Sequence, residues 1–218
     1  MDNTIIRVEK AALTLDGFCV SPIELEIPQG YIVGIRGANG AGKSVFLRML
    51  LGEFPKMKGR ILVDGLDVID RRVEMLQRVG FVSDTKRFFM VEDAAYNERL
   101  YAGFYPSWDG EEYRKQLENM KLSTVKSIGS FSTGEYVKYQ LAFAAAYRPK
   151  VLYLDEPTAN LDPVFRDDFL RILQQFVADY ETTILISTHL DEDLSMIADY
   201  TIQVDHGIYQ MTLGKQEV

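Results

Sequence analysis

The feature that most constrains this chain is the octapeptide Gly37-Ala38-Asn39-Gly40-Ala41-Gly42-Lys43-Ser44. It satisfies G-x-x-x-x-G-K-[ST] and lies where that pattern has mechanical meaning, between the apolar run Tyr31 to Arg36 and the helical run Val45 to Leu51. Its glycines let the backbone curl so that successive N–H groups point inward, and the following helix adds its positive end. The result is a cradle for polyphosphate formed by Gly37, Ala38, Asn39, Gly40, Ala41, Gly42 and Val45. Lys43 is suited to the β- and γ-phosphates, and the Ser44 hydroxyl to Mg²⁺. The loop sets the ligand class, a nucleoside triphosphate, and still admits GTPases, nucleotide kinases and motors.

Bulk properties narrow the setting. A formal charge of −8 and a pI near 4.9 argue against a broad basic surface for nucleic acid, so no direct nucleic-acid partner is expected. Cys19 is the sole cysteine, which excludes an internal disulfide and fits a reducing compartment. It reads as a small core or strand residue. No apolar run approaches the roughly 20 residues of a membrane-spanning helix, and the first residues lack a signal-peptide pattern. The expectation is a soluble chain that reaches a membrane only by docking on a partner.

No internal repeat or long linker divides the sequence, so one unit spanning 1–218 is expected. Ile5 to Val8, Ile23 to Ile27 and Tyr31 to Ile35 read as strands, Arg60 to Gly65 as a short strand closed by a turn, and Val79 to Val82 as another. Val151 to Leu154 and Thr183 to Ser187 are uninterrupted apolar or β-branched runs, as in parallel strands covered on both faces. From about residue 86 to 147 the pattern turns helical, with Tyr113, Leu117 and Met120 on one face.

The run at 151–154 ends in two carboxylates. Asp155 is delivered to the Mg²⁺ shell, and Glu156 at the strand tip is placed to polarise an attacking water as general base.

With these residues in order, the sequence resembles the nucleotide-binding domains of ATP-binding cassette (ABC) proteins along nearly its whole length. Asp155 to Pro163 is similar to the family's Walker B, proline and D-loop sequence, and Ser187-Thr188-His189 to its switch histidine. Phe131-Ser132-Thr133-Gly134-Glu135 stands for the common Leu-Ser-Gly-Gly-Gln signature, which in the family heads a helix facing the γ-phosphate held by the opposite subunit. Ser132 is also a good N-cap.

The resemblance implies a phosphate-loop NTPase fold: a RecA-like, mostly parallel sheet with flanking helices, an N-terminal antiparallel β-subdomain and an inserted helical subdomain. It implies ATP and Mg²⁺ as ligands, ATPase activity, and Glu156 and His189 as catalytic residues. Ser132, Thr133, Gly134, Glu135 and Asp162 would act across a dimer interface. Asp162 also reads as a helix N-cap before Pro163. Ser44 and Asp155 would serve the metal.

Two positions depart from the pattern. Asp84 stands where the family usually has glutamine, and can still reach Mg²⁺ through its carboxylate or a water, at the cost of extra negative charge. Thr133 replaces a signature glycine and adds a β-branched side chain. Phe18 is the candidate for stacking on adenine, although Asp16 occupies the place where the family often has tyrosine, and a packed Phe is an equal reading. His206, before Gly207, reads as a turn residue.

The implied partners are an integral-membrane permease and a second ATPase subunit, in a homodimer or a heterodimer. Together they would hold the chain on the cytoplasmic face of the membrane. Phe88-Phe89-Met90 and Phe104 to Trp108 read either as packing of the helical region or as a permease-docking groove. The Phe-Tyr-Pro-x-Trp-Asp segment ending at Asp109 is similar to a bacterial export-type subfamily. A non-transport ABC clamp on nucleic acid or ribosomes, and a small-molecule kinase, are the competing readings.

Overall fold

The computed structural model describes residues 3–158, 161 and 163–213. Strands β1 (Thr4–Leu15) and β2 (Phe18–Pro28) form a long antiparallel hairpin, followed by β3 (Ile32–Arg36) and helix α1 (Lys43–Leu50). Next come β4 (Lys58–Val63), β5 (Leu66–Asp67), α2 (Arg72–Leu76) and β6 (Val79–Ser83). The helical stretch comprises α3 (Ala94–Tyr101), α4 (Gly110–Asn119) and α5 (Thr133–Tyr147), with short 3-10 turns at Ala102–Phe104 and Ile128–Ser130. The chain then alternates β7 (Val151–Asp155), α6 (Pro163–Tyr180), β8 (Thr183–Ser187) and α7 (Asp191–Ile197), and ends on the hairpin β9 (Tyr200–Asp205) and β10 (Ile208–Leu213).

Two sheets result. One is antiparallel, in the order β2-β1-β4-β5; the other, β10-β9-β3-β8-β7-β6, is parallel except for β10. The expected phosphate-loop NTPase architecture is therefore present, antiparallel subdomain included. Every residue of β8 is buried, as a strand covered on both faces requires. In β7 the alternation sorts side chains between two cores. Val151 and Tyr153 join α1 and the antiparallel sheet, whereas Leu152 and Leu154 pack with α5 and α6.

The first two strands extend well beyond their apolar runs. Register shifts between Val8 and Ala11 and between Ala11 and Leu13 break the period-2 pattern, so the far half of β1 does not read as a continuation. Cys19 is an exposed residue of β2. His206 is the turn residue of the last hairpin, with φ of 46°. In α4, Tyr113 and Leu117 are buried as their spacing predicts.

Parallel pairing aligns the ends of the central strands. Ile35 faces Ser187, Ser187 faces Asp155, and Asp155 faces Ser83. The residues that leave these strands therefore meet along one edge, the carboxyl edge where open α/β sheets place their ligands.

Candidate functional site

The loop after β3 turns sharply enough to need glycine. Gly42, at the N-terminus of α1, has φ of 118°. A Cβ there would stand 2.6 Å from the Tyr209 hydroxyl and 2.7 Å from the Phe18 ring, so another side chain would be excluded by contact as well as by strain. The loop's back is held by the last hairpin. Gly207 N–H donates to Ala41 O at 3.1 Å and Tyr209 O–H donates to Gly42 O at 2.9 Å. Burial pushes the Tyr209 hydroxyl above its ordinary pKa, which keeps it a donor. These two carbonyls are tied behind the loop, and within it Ala41 N–H donates to Ala38 O at 3.1 Å.

Lys43 is buried within the turn, its ammonium donating to Gly37 O at 2.9 Å and Ala38 O at 3.4 Å. The same ammonium lies 3.3 Å from Glu156 Oε1. Ser44 donates to Asp155 Oδ1 at 2.9 Å, and Ser187 donates to the same oxygen at 2.7 Å. Ser187 Oγ also accepts from Glu156 N–H at 3.0 Å, and so ties the Asp155 carboxylate to the Glu156 backbone. Glu156 itself has φ of 49°, an uncommon conformation for a non-glycine residue and one often found where a side chain is aimed for chemistry. His189 Nδ1 is 2.7 Å from Glu156 Oε2. The result is a chain of contacts, Ser44 to Asp155 to Ser187 and Lys43 to Glu156 to His189, built from three separate segments.

Phe18, Asp16, Asn39, Gly40, Gly42, Lys43, Ser44, Val45 and Glu156 border one open cavity of about 390 Å³. Phe18 thus stands at the loop, against Gly42. The signature residues stand at the head of α5. Ser132 accepts from Glu135 N–H at 3.2 Å, and the Glu135 carboxylate accepts from Ser132 N–H at 2.8 Å, a closed capping box. The Ser132 backbone hydrogen bond holds the Glu135 carboxyl below the usual range. Ser132, Thr133, Gly134 and Glu135 border a second cavity of about 450 Å³ with Lys121 and Lys138. Asp84 is exposed and shares a third, of about 200 Å³, with Thr133 and Glu156. Asp162 lies outside the described residues.

Sequence reasoning named Lys43, Ser44, Asp155, Glu156 and His189, and the structure brings them together. It passed over Ser187 as more than a motif letter, although its place at the end of β8 was a usable signal. Tyr209 carries no such signal, since its contact with Gly42 spans most of the chain.

Beside the helices, a groove of about 310 Å³ is bordered by Phe81, Arg87, Phe88, Tyr101, Tyr105 and Phe143. Phe88 packs edge-on against Tyr139 and Phe143, and Tyr105 stacks on Tyr147 at 4.0 Å. These aromatics therefore pack the helical region and also line its groove.

Residues 20–159 match the sequence model of the family described as ABC transporter. The chain is 32% identical over 196 residues to the energy-coupling factor transporter ATP-binding protein EcfA2 of Clostridium perfringens, covering 85% of this chain and 69% of that protein. It is 32% identical over 199 residues to the ABC transporter ATP-binding protein NatA of Bacillus subtilis, covering 86% and 78%. Among solved structures, cbiO1 from Clostridium perfringens, part of the ABC transporter complex cbiONQ, superposes with a TM-score of 0.82 at 23% identity over 98% of this chain and 90% of that one. That likeness speaks for the fold.

Proposed function

Because the chain belongs to the ABC transporter family, we propose that it is the ATP-hydrolysing subunit that powers passage of a substrate through a separate membrane permease. Transport is favoured over a clamp on nucleic acid by relatives named as transporter ATP-binding proteins and by the acidic charge. No helix among the described residues is long and apolar enough to cross a membrane, so the pathway would be supplied by the partner. The aromatic-lined groove beside Phe88 and Tyr105 is the surface proposed to receive it, which holds the chain on the inner face of the membrane. The whole chain, 1–218, would act as one cassette, with about 86–147 as its helical part.

The observation that carries this reading is the division of the phosphate-binding features between two places. Lys43, Ser44, Asp155, Glu156 and His189 meet at the sheet edge, while Ser132, Gly134 and Glu135 present a helix N-terminus at a separate cavity. Two copies facing each other in opposite directions about a two-fold axis, the commonest symmetry of an oligomer, join each loop to the other copy's signature. Asp162 would orient groups across that interface, and Phe18 would meet the adenine.

Ser44 Oγ and Asp155 Oδ1, both hard oxygens 2.9 Å apart, fit a Mg²⁺ that takes its remaining ligands from phosphate and water. Asp84, which shares a neighbouring cavity with Glu156, is a third candidate. When bound, the cation neutralises charge on the phosphates. Lys43 would hold the β- and γ-phosphates, and Glu156 would accept the proton of the attacking water. His189, bonded to Glu156 through Nδ1, keeps that carboxylate aimed and leaves Nε2 as the ring's other hydrogen-bonding atom.

The test is Glu156→Gln. It is expected to bind MgATP by calorimetry and to accumulate as an ATP-dependent dimer, with hydrolysis at least ~100-fold below wild type. Wild-type turnover in that variant would remove Glu156 as the base.

A further inference from the structure

Among the described residues, strand β6 is the last strand of the six-stranded sheet, so one of its edges has no neighbouring strand there. Buried backbone groups on such an edge need partners from elsewhere. Helix α5 supplies them through side chains. Gln140 Oε1 accepts from Ser83 N–H at 3.2 Å while its Nε2 donates to Ser83 C=O at 3.0 Å, a buried two-point grip on the last residue of β6. One turn earlier, the Tyr136 hydroxyl accepts from Arg87 N–H at 3.0 Å and donates to Thr85 C=O at 3.2 Å. At the far end of the helix, Tyr147 donates to Val79 C=O at 3.2 Å. Tyr136, Gln140 and Tyr147 are spaced by four and seven residues, hence on one face of α5.

Asp84 lies between the anchored residues 83 and 85, and the helix that anchors them begins with the signature. Asp84, Thr133, Tyr136 and Glu156 border the same cavity. A 15-residue helix moves as a rigid rod, so a shift at its first turn carries Tyr136 and Gln140 with it. The backbone on either side of Asp84 must follow. Gln140 and Arg87 also border the aromatic groove, which places the grip between that groove and the carboxylates.

We propose that Tyr136 and Gln140 are positioning residues that tie the Asp84 segment to the signature helix, so that engagement of α5 at its N-terminus sets where the Asp84 carboxylate stands relative to Glu156. This rests on the reading of Asp84 as facing the bound nucleotide. Tyr136→Phe would keep the ring against Phe88 and lose both of its hydrogen bonds to the segment, which leaves the fold and removes the Tyr136 part of the tie.

The experiment is a double-mutant cycle on MgATP hydrolysis, with wild type, Tyr136→Phe, Asp84→Ala and the pair. Tyr136→Phe is expected to lower kcat roughly fivefold, with KM for ATP nearly unchanged and the melting temperature close to wild type. In the Asp84→Ala background the same change is expected to cost nothing further, because the group it positions is gone. Gln140→Glu keeps the acceptor for Ser83 N–H but sets an oxygen against Ser83 C=O, and is expected to lower kcat more than Tyr136→Phe does. The proposal is overturned if Tyr136→Phe lowers kcat by the same factor in both backgrounds, if it leaves kcat unchanged, or if Asp84→Ala is itself silent. Failure of the wild-type protein to bind MgATP would instead remove the functional reading beneath it.

Discussion

The loop end and the signature end of this molecule handle their polar groups in opposite ways. At the loop, three segments interlock: Ser44 and Ser187 share one oxygen of Asp155, while Lys43 and His189 divide the two oxygens of Glu156. At the signature, Ser132 and Glu135 satisfy each other within a single helix turn. The first arrangement needs the sheet to exist, since its three segments leave β3, β7 and β8. The second needs only local sequence and presents a finished helix terminus outward. A catalytic centre has to be assembled, whereas a surface offered to another subunit has to be stable before that subunit arrives.

The sharpest way to break this contrast is at Ser187. Ser187→Ala removes the hydroxyl that holds the Asp155 carboxylate and the Glu156 N–H, and is expected to lower hydrolysis at least ~10-fold with calorimetric MgATP binding retained. An unchanged rate would show that the loop end does not depend on interlocking. Ser132→Ala addresses the other end. It is expected to lower stability by about 1 kcal/mol through loss of the cap, read from chemical denaturation. If it leaves stability untouched, the capping box is not what holds the signature in place.

The smallest effect concerns pH. The Glu135 carboxyl is lowered chiefly by the Ser132 N–H it accepts, so its contribution is complete above the ordinary glutamate pKa. That contribution is lost as pH falls through the lowered folded value. Glu135→Gln is therefore expected to lower stability slightly at neutral pH and to cost less at acid pH, which flattens the acid side of the stability profile. A larger loss at acid than at neutral pH would contradict the assigned sign.

What could be read in advance follows the same division. The phosphate loop, the carboxylates at 155 and 156 and the cap at Ser132 are encoded in contiguous residues, and the buried parallel strands show as apolar runs. The length of β1 is hidden by its bulges, where the alternation slips. The closing hairpin left a faint trace in Ile202 and Val204, both buried, but its hold on Ala41 and Gly42 joins distant parts of the chain. The grip of Gln140 on Ser83 is hidden for the same reason. Glutamine in an apolar helix face looks like an error in the pattern until the open edge of β6 is known.

The central claim is that one ATP is completed by two chains. It is tested by mixing two inactive variants, Lys43→Ala, which spoils the loop, and Ser132→Arg, which spoils the signature. Each alone leaves both composite sites defective. In a mixed dimer, the intact loop of one chain meets the intact signature of the other. At equal mixing, half the dimers are mixed and one of their two sites is whole, so hydrolysis should return to about a quarter of the wild-type rate. If the mixture stays as inactive as its components, loop and signature do not act across a dimer and the account is wrong.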